Sequence, residues 1–165
     1  MSVRLFTPPA LATAAEIEDP LPTPDTAPSG CAAYCGTVAH CQRAIQNIDQ
    51  RLRANPGLPL SLDLEGRLGG RLGHIELLQV HVDPSCEGEK PLTYVLDAHL
   101  LAHFIGTGLL RKILEDGGVP KVVHCSYGDA SALFVEYHIY LRGAFDTGAA
   151  DCVLRHTAQT GDREG

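Results

Sequence analysis

Leu60-Ser61-Leu62-Asp63-Leu64-Glu65-Gly66 alternates apolar and polar residues without a break until its glycine. Side chains on a strand point to opposite faces in turn. Leu60, Leu62 and Leu64 therefore face one way, and Ser61, Asp63 and Glu65 the other. The two carboxylates then stand roughly 7 Å apart along one face. Anions at that spacing repel, and a strand gains little from them without a counter-ion. A divalent cation is the usual one, and an all-oxygen donor set suits Mg²⁺ or Mn²⁺ better than zinc. The plainer alternative is the solvent-facing acidic edge of an amphipathic strand. D-x-E alone does not decide between them.

The flanking residues extend the pattern. Gly66 to Gly73 is a glycine-rich turn carrying Arg67 and Arg71, and His74–Val82 reads as a second strand, ended by Asp83-Pro84. Two strands joined by a short glycine-rich connection form a hairpin. Arginine forks match phosphate oxygens, so Arg67 and Arg71 are candidate phosphate contacts; loop solubility is their plainer role.

Further out, residues 1–30 are rich in Pro, Thr and Ala, with Pro20, Pro22, Pro24 and Pro28 in close succession. Such a stretch buries little and blocks helix, so it reads as a disordered leader. From Cys31 to Ala54, Tyr34, Val38, Cys41, Ile45, Ile48 and Leu52 recur at helical spacing, which predicts one amphipathic helix ended by Asn55-Pro56-Gly57. Tyr94–Leu96 reads as a third strand, Ala98–Phe104 and Leu109–Glu115 as helical stretches, and Lys121–His124 as a short buried strand. A helix is expected over Asp129–Tyr137, an edge strand at Ile139–Leu141, and a last turn or two of helix at Gly148–Leu154. Residues 31–156 form one domain in this reading, and 157–165 a polar tail. A meander of strands followed by βαβ units implies an α/β fold, a mixed sheet with helices on both faces.

Composition narrows the classes. The 165 residues suit a single domain with a mostly aliphatic core, since tryptophan is absent. A net charge of −7 argues against tight, non-specific nucleic-acid binding, which needs a cationic surface. The six cysteines show no C-x-x-C and no disulfide spacing, as expected of reduced thiols in an intracellular protein. Cys31, Cys35, His40 and Cys41 lack a second pair at zinc spacing. His99 and His103, one helical turn apart, read as an ordinary helix face. No run approaches the ~20 apolar residues of a membrane span, and the N-terminus lacks a secretory core. Cytoplasm or nucleus is the expected compartment, though an acid-free Met1–Ala15 carrying Arg4 keeps organelle targeting open. Oligomeric state is not legible.

Taken in order, the blocks resemble one family. Leu62-Asp63-Leu64-Glu65-Gly66 with Gly73, Ile75 and Leu77-Leu78-Gln79-Val80 looks like the first motif of the DEDD-type 3′–5′ exonuclease domain, the ribonuclease D-like branch of the ribonuclease H-like superfamily. Thr93–Asp97 is similar to its third strand and Gly108–Asp116 to the helix after it. Lys121–Leu133 is similar to the second motif, where a strand leads to an Asp near a helix start. Ala144-Phe145-Asp146-Thr147, with Ala149-Ala150-Asp151, is similar to the segment that follows. The resemblance spans about Gly57 to Asp151.

It implies a ribonuclease H-like fold in which two divalent cations, Mg²⁺ or Mn²⁺, are held by four carboxylates, with a Tyr or His beside the attacking water. Asp63 and Glu65 fall on the first two carboxylates and Asp129 on the third. Ser126-Tyr127-Gly128-Asp129 is also good capping sequence, and a plain helix cap is the alternative for Asp129. The implied reaction is hydrolysis of the terminal phosphodiester of a single RNA or DNA strand from its 3′ end. About 36 residues follow Asp129, and neither His156 nor Asp162 matches the family's third motif. Cys125 also stands where relatives often carry Asp. The resemblance therefore implies a fold truncated on its C-terminal side, with activity impaired accordingly. The alternative is a non-catalytic exonuclease-like module that binds RNA or a protein partner.

Overall fold

The computed structural model describes residues 32–68, 74–84, 91–100 and 108–161, the last four without their side chains. The leader, Cys31, Gly69 to Gly73 with Arg71, Cys86 and His103 lie outside the described residues. The elements run β1 (Ala33–Cys35), α1 (Val38–Ala54), β2 (Leu60–Arg67), β3 (His74–Val82), β4 (Leu92–Asp97), α2 (Leu109–Glu115), β5 (Lys121–Val123), α3 (Tyr127–Tyr137), β6 (Ala144–Asp146) and α4 (Thr147–Gly161). A further helical stretch begins at Ala98.

The described strands form one mixed six-stranded sheet in the order β1-β4-β3-β2-β5-β6. β2, β3 and β4 make an antiparallel meander. β5 joins β2 in parallel, β6 joins β5 in parallel, and β1 pairs in parallel with β4 at the far edge. This is the expected α/β architecture, and the hairpin of β2 and β3 stands where the sequence put it. Between Glu65 and Gly66 the pairing register shifts by a bulge. Gly66 adopts φ +146°, and a methyl there would meet the His74 carbonyl oxygen at 2.2 Å, so only glycine fits.

Alternation on β2 sends Leu60, Leu62 and Leu64 into the core and leaves Ser61, Asp63 and Glu65 exposed. Above the core face, Ile45 and Ile48 of α1 and Leu110, Ile113 and Leu114 of α2 close around Leu60, Leu62 and Val80. Each such side chain contributes about 1.5–3 kcal/mol on full burial. Among the described residues no helix is long and apolar enough to cross a membrane.

Three boundaries differ from expectation. The helix expected from Cys31 starts only at Val38, because the Thr37 side chain caps it by accepting from His40 N at 3.1 Å. Ala33–Cys35 is a strand instead, paired with Tyr94–Leu96, so Tyr34 points outward and is not part of the α1 stripe. The edge strand expected at Ile139–Leu141 lies later, at Ala144–Asp146. A left-handed His138, φ 55°, ends α3 and sends its N–H back to Leu133 and Phe134, which turns Ile139 into the core. Finally, α4 runs to Gly161, through part of the stretch expected to be a polar tail.

Candidate active site

β2 carries two of the candidate carboxylates on its solvent face. Register sets Gln79 of β3 opposite Asp63. The Gln79 amide reaches both acids, Nε2 lying 3.4 Å from Asp63 Oδ2 and 3.4 Å from Glu65 Oε1. Bonds this long at exposed positions offset little of the charge repulsion between two anions.

The third carboxylate arrives from the neighbouring strand. β5 runs parallel to β2, the chain turns through a left-handed Cys125 (φ 54°), and α3 begins. Asp129 sits in the first turn of α3, where the helix dipole favours an anion. It does not cap the helix: the N-cap position is Ser126, which makes no side-chain cap bond. Asp129 is only 6% exposed. Among the described residues nothing donates a hydrogen bond to its carboxylate. Burial raises its pKa from 3.8 to about 6, helped by the charges of Asp63 and Glu65 and then Asp146. Strand alternation and the parallel β2–β5 pair thus bring Asp63, Glu65 and Asp129 into one electrostatic neighbourhood. As the side chains stand, no three His, Cys, Asp or Glu among the described residues form a set spaced to hold a metal ion.

The donors fit a hard cation nonetheless. All three are carboxylate oxygens, the chemistry Mg²⁺ and Mn²⁺ prefer. Burial, and then the charges of Asp63 and Glu65, disfavour the charged form of Asp129, a situation a cation relieves.

Asp146 has a different part. Its Oδ1 accepts from Cys125 N at 2.9 Å, Gly148 N at 2.9 Å and Ala149 N at 3.2 Å. Oδ2 accepts from Ser126 N and Ser126 Oγ, both at 2.8 Å. One carboxylate therefore caps α4 and clamps the turn that delivers Asp129. Those bonds, the Ser126 hydroxyl first, hold its pKa far below the usual carboxylate range. Neither Gln79 nor Asp146 was singled out by sequence for these roles. Hairpin register pointed to Gln79, and Asp-Thr-Gly ahead of a helix is a capping signal.

The remaining candidates fall elsewhere. Arg67 is exposed at the end of β2, next to the bulge. Cys35 and Cys41 are buried, and burial lifts both thiols to about 12, so they are inert core groups. The His99 ring lies 5.0 Å from that of His74, whose Nδ1 pairs with Glu136 at 3.0 Å.

No family model and no curated protein matches this chain. Solved structures do. Trypanosoma brucei RNase D in complex with RNA U12 aligns with a TM-score of 0.54 at 19% identity, over 70% of this chain and 37% of that one. The EXD2 exonuclease domain soaked in Mn and GMP gives 0.53 at 24% identity, over 74% and 59%. The same domain soaked in Mg gives 0.50 at 25% identity, over 76% and 57%. This chain spans between a third and three fifths of those chains. The likeness is one of fold: the mixed sheet and helices of this chain have the fold of the RNase D and EXD2 exonuclease domains.

Proposed function

We propose that this chain is a metal-dependent 3′–5′ exonuclease acting on the terminal phosphodiester of a single nucleic-acid strand. The Asp129 carboxylate carries the reading: buried, without a hydrogen bond from the described residues, and lifted by the charges of Asp63 and Glu65. Asp63, Glu65 and Asp129 would hold two divalent cations, Mg²⁺ or Mn²⁺. Support comes from the EXD2 domain, which was soaked in Mn and Mg, and from RNase D, which was captured with RNA U12. What divalent cations supply at such a site, when bound, is a more acidic water and positive charge against the phosphate.

The chain's own groups do the rest. Gln79 holds the two β2 carboxylates in a common orientation through its amide. Asp129 adds the third anion from the first turn of α3. Asp146 fixes the turn on which Asp129 rides. Arg67, exposed at the end of β2, would meet the phosphates of the strand, a role the sequence also suggests for Arg71, which lies outside the described residues.

The assay is release of nucleoside monophosphates from a 3′-labelled single strand with Mn²⁺, with and without chelator. Slow, metal-dependent release that vanishes in Asp63→Ala is the expected result; metal-independent release sinks the reading. A non-catalytic module that binds RNA or a protein is the second reading. Tight strand binding with no release under any metal would select it.

A further inference from the structure

A row of residues runs across the sheet from Asp63 and ends on an exposed aromatic ring. Register places Asp63 opposite Gln79, Gln79 opposite Val95, and Val95 opposite Tyr34. Partners in register share a sheet face, so Tyr34 at the β1 edge stands on the carboxylate side. Three strand spacings of about 4.8 Å put it roughly 14 Å away. Its neighbours Ala33 and Cys35 point into the core, while Tyr34 is 53% exposed.

The ring is held in place before any ligand arrives. Its hydroxyl donates to Asp97 Oδ2 at 3.0 Å, and Asp97 Oδ1 accepts from His99 N at 2.9 Å. The ring lies against Gly36, where a methyl group would come within 2.6 Å of Cε1. The bond to Asp97, with some burial, raises the pKa of the phenol and keeps it a donor. A side chain fixed by its own neighbours loses little freedom when a partner lands on it.

The charge of this face says what kind of partner that is. Asp63, Glu65 and Asp97, in a chain of net charge −7, offer phosphates no general attraction. A strand drawn to the carboxylates through cations needs neutral contacts along the rest of its length. Stacking on an aromatic ring supplies them and tolerates any base. α3 runs from the end of β5 past the start of β3, where Glu136 accepts from Ile75 N, to Tyr137, whose hydroxyl donates to the Ala98 carbonyl after β4; the row through Gln79 and Val95 crosses the strands further along.

We propose that Tyr34 is a base-stacking residue that receives a nucleobase of a single strand, a few nucleotides upstream of the end held at Asp63, Glu65 and Asp129. This rests on the nuclease reading of that site and extends it to how the strand is gripped. The test is fluorescence anisotropy of the full chain with a 5′-labelled oligouridylate, its linkages made phosphorothioate so that it survives Mn²⁺. Tyr34→Ala is expected to weaken binding roughly 5- to 150-fold, the worth of one stacked base. Tyr34→Phe, which keeps the ring and gives up Asp97, stays close to the unchanged chain. Replacing uridines one at a time by abasic residues should weaken the unchanged chain at one upstream position and leave Tyr34→Ala indifferent there. Tight and equal binding by Tyr34→Ala and the unchanged chain overturns the stacking role and leaves the nuclease reading standing. Absence of binding by the unchanged chain overturns both. A loss shared by Tyr34→Phe and tied to no abasic position marks a structural role through Asp97 and overturns the proposal. So does an abasic signature that follows Tyr127, 87% exposed two residues before Asp129, in place of Tyr34.

Discussion

Lys121 opens β5 with no exposed surface at all, at the end of the strand remote from Asp129. Its ammonium donates to the Asp116 backbone carbonyl and has the Asp116 charge nearby. Burial outweighs that charge and lowers its pKa from 10.5 to about 8. Below pH 8 the amine is charged in both folded and unfolded chains, and folding bears the full cost of burying it. Between 8 and 10.5 the folded chain gives up the proton while the unfolded chain keeps it, so stability rises with pH. Above 10.5 both are neutral and the cost is gone. At 1.36 kcal/mol per pKa unit the whole effect is up to about 3 kcal/mol. Lys121→Met keeps the length and removes the charge. Urea unfolding of both chains, followed by helical circular dichroism from about pH 7 to about pH 11, isolates this group, because the other titrations cancel in the difference. The unchanged chain should gain on Lys121→Met by about 3 kcal/mol across that window, most steeply between 8 and 10.5. A flat difference would refute the claim that burial governs this amine.

Asp129→Asn removes a charge that burial and two carboxylates disfavour. In chelator above pH 6 the variant should be the more stable by up to about 3 kcal/mol, an advantage that fades as pH falls from 6 to 3.8, and Mn²⁺ should stabilise only the unchanged chain. Gly66→Ala places a methyl 2.2 Å from the His74 carbonyl oxygen, and calorimetry should show a loss of ~1–3 kcal/mol as the bulge rearranges. Asp146→Ala unclamps the Asp129 turn and uncaps α4. It should lower Tm at neutral pH. Because the folded pKa of Asp146 is depressed, the gap to the unchanged chain should shrink as acid protonates the carboxylate below its ordinary 3.8.

The parts legible in the sequence were those with an internal period. The leucines of β2 alternate, so the face shared by Asp63 and Glu65 follows from spacing alone, and Leu109–Glu115 forms the helix its pattern implies. Asp129 was placed near a helix start by local signals, which on their own suggested a cap; only the family resemblance set it beside Asp63 and Glu65. β1 was illegible because three residues carry no period and their partner is β4, far along the chain; Tyr34 also matched a helical spacing by coincidence. Ile139–Leu141 has better strand composition than Ala144–Asp146, yet a left-handed His138 and the β5 register decided otherwise. Asp146 takes its meaning from donors at Cys125 and Ser126, which no local window contains.

Both rims of the described sheet, β1 and β6, are strands of three residues. An unpaired rim is a template for another chain, and its danger grows with the number of backbone groups it can offer in a row. Here an incoming strand would find only a few before the sheet gives way to the cap of α1 or the start of α4. β3 is paired on both sides over Leu77–Val82, and β2 is paired along β3 and meets β5 at Leu60 and Ser61. Fibril-like growth is therefore blunted at each end of the sheet, and its open carboxylate face can stay in water without recruiting copies of itself edge to edge.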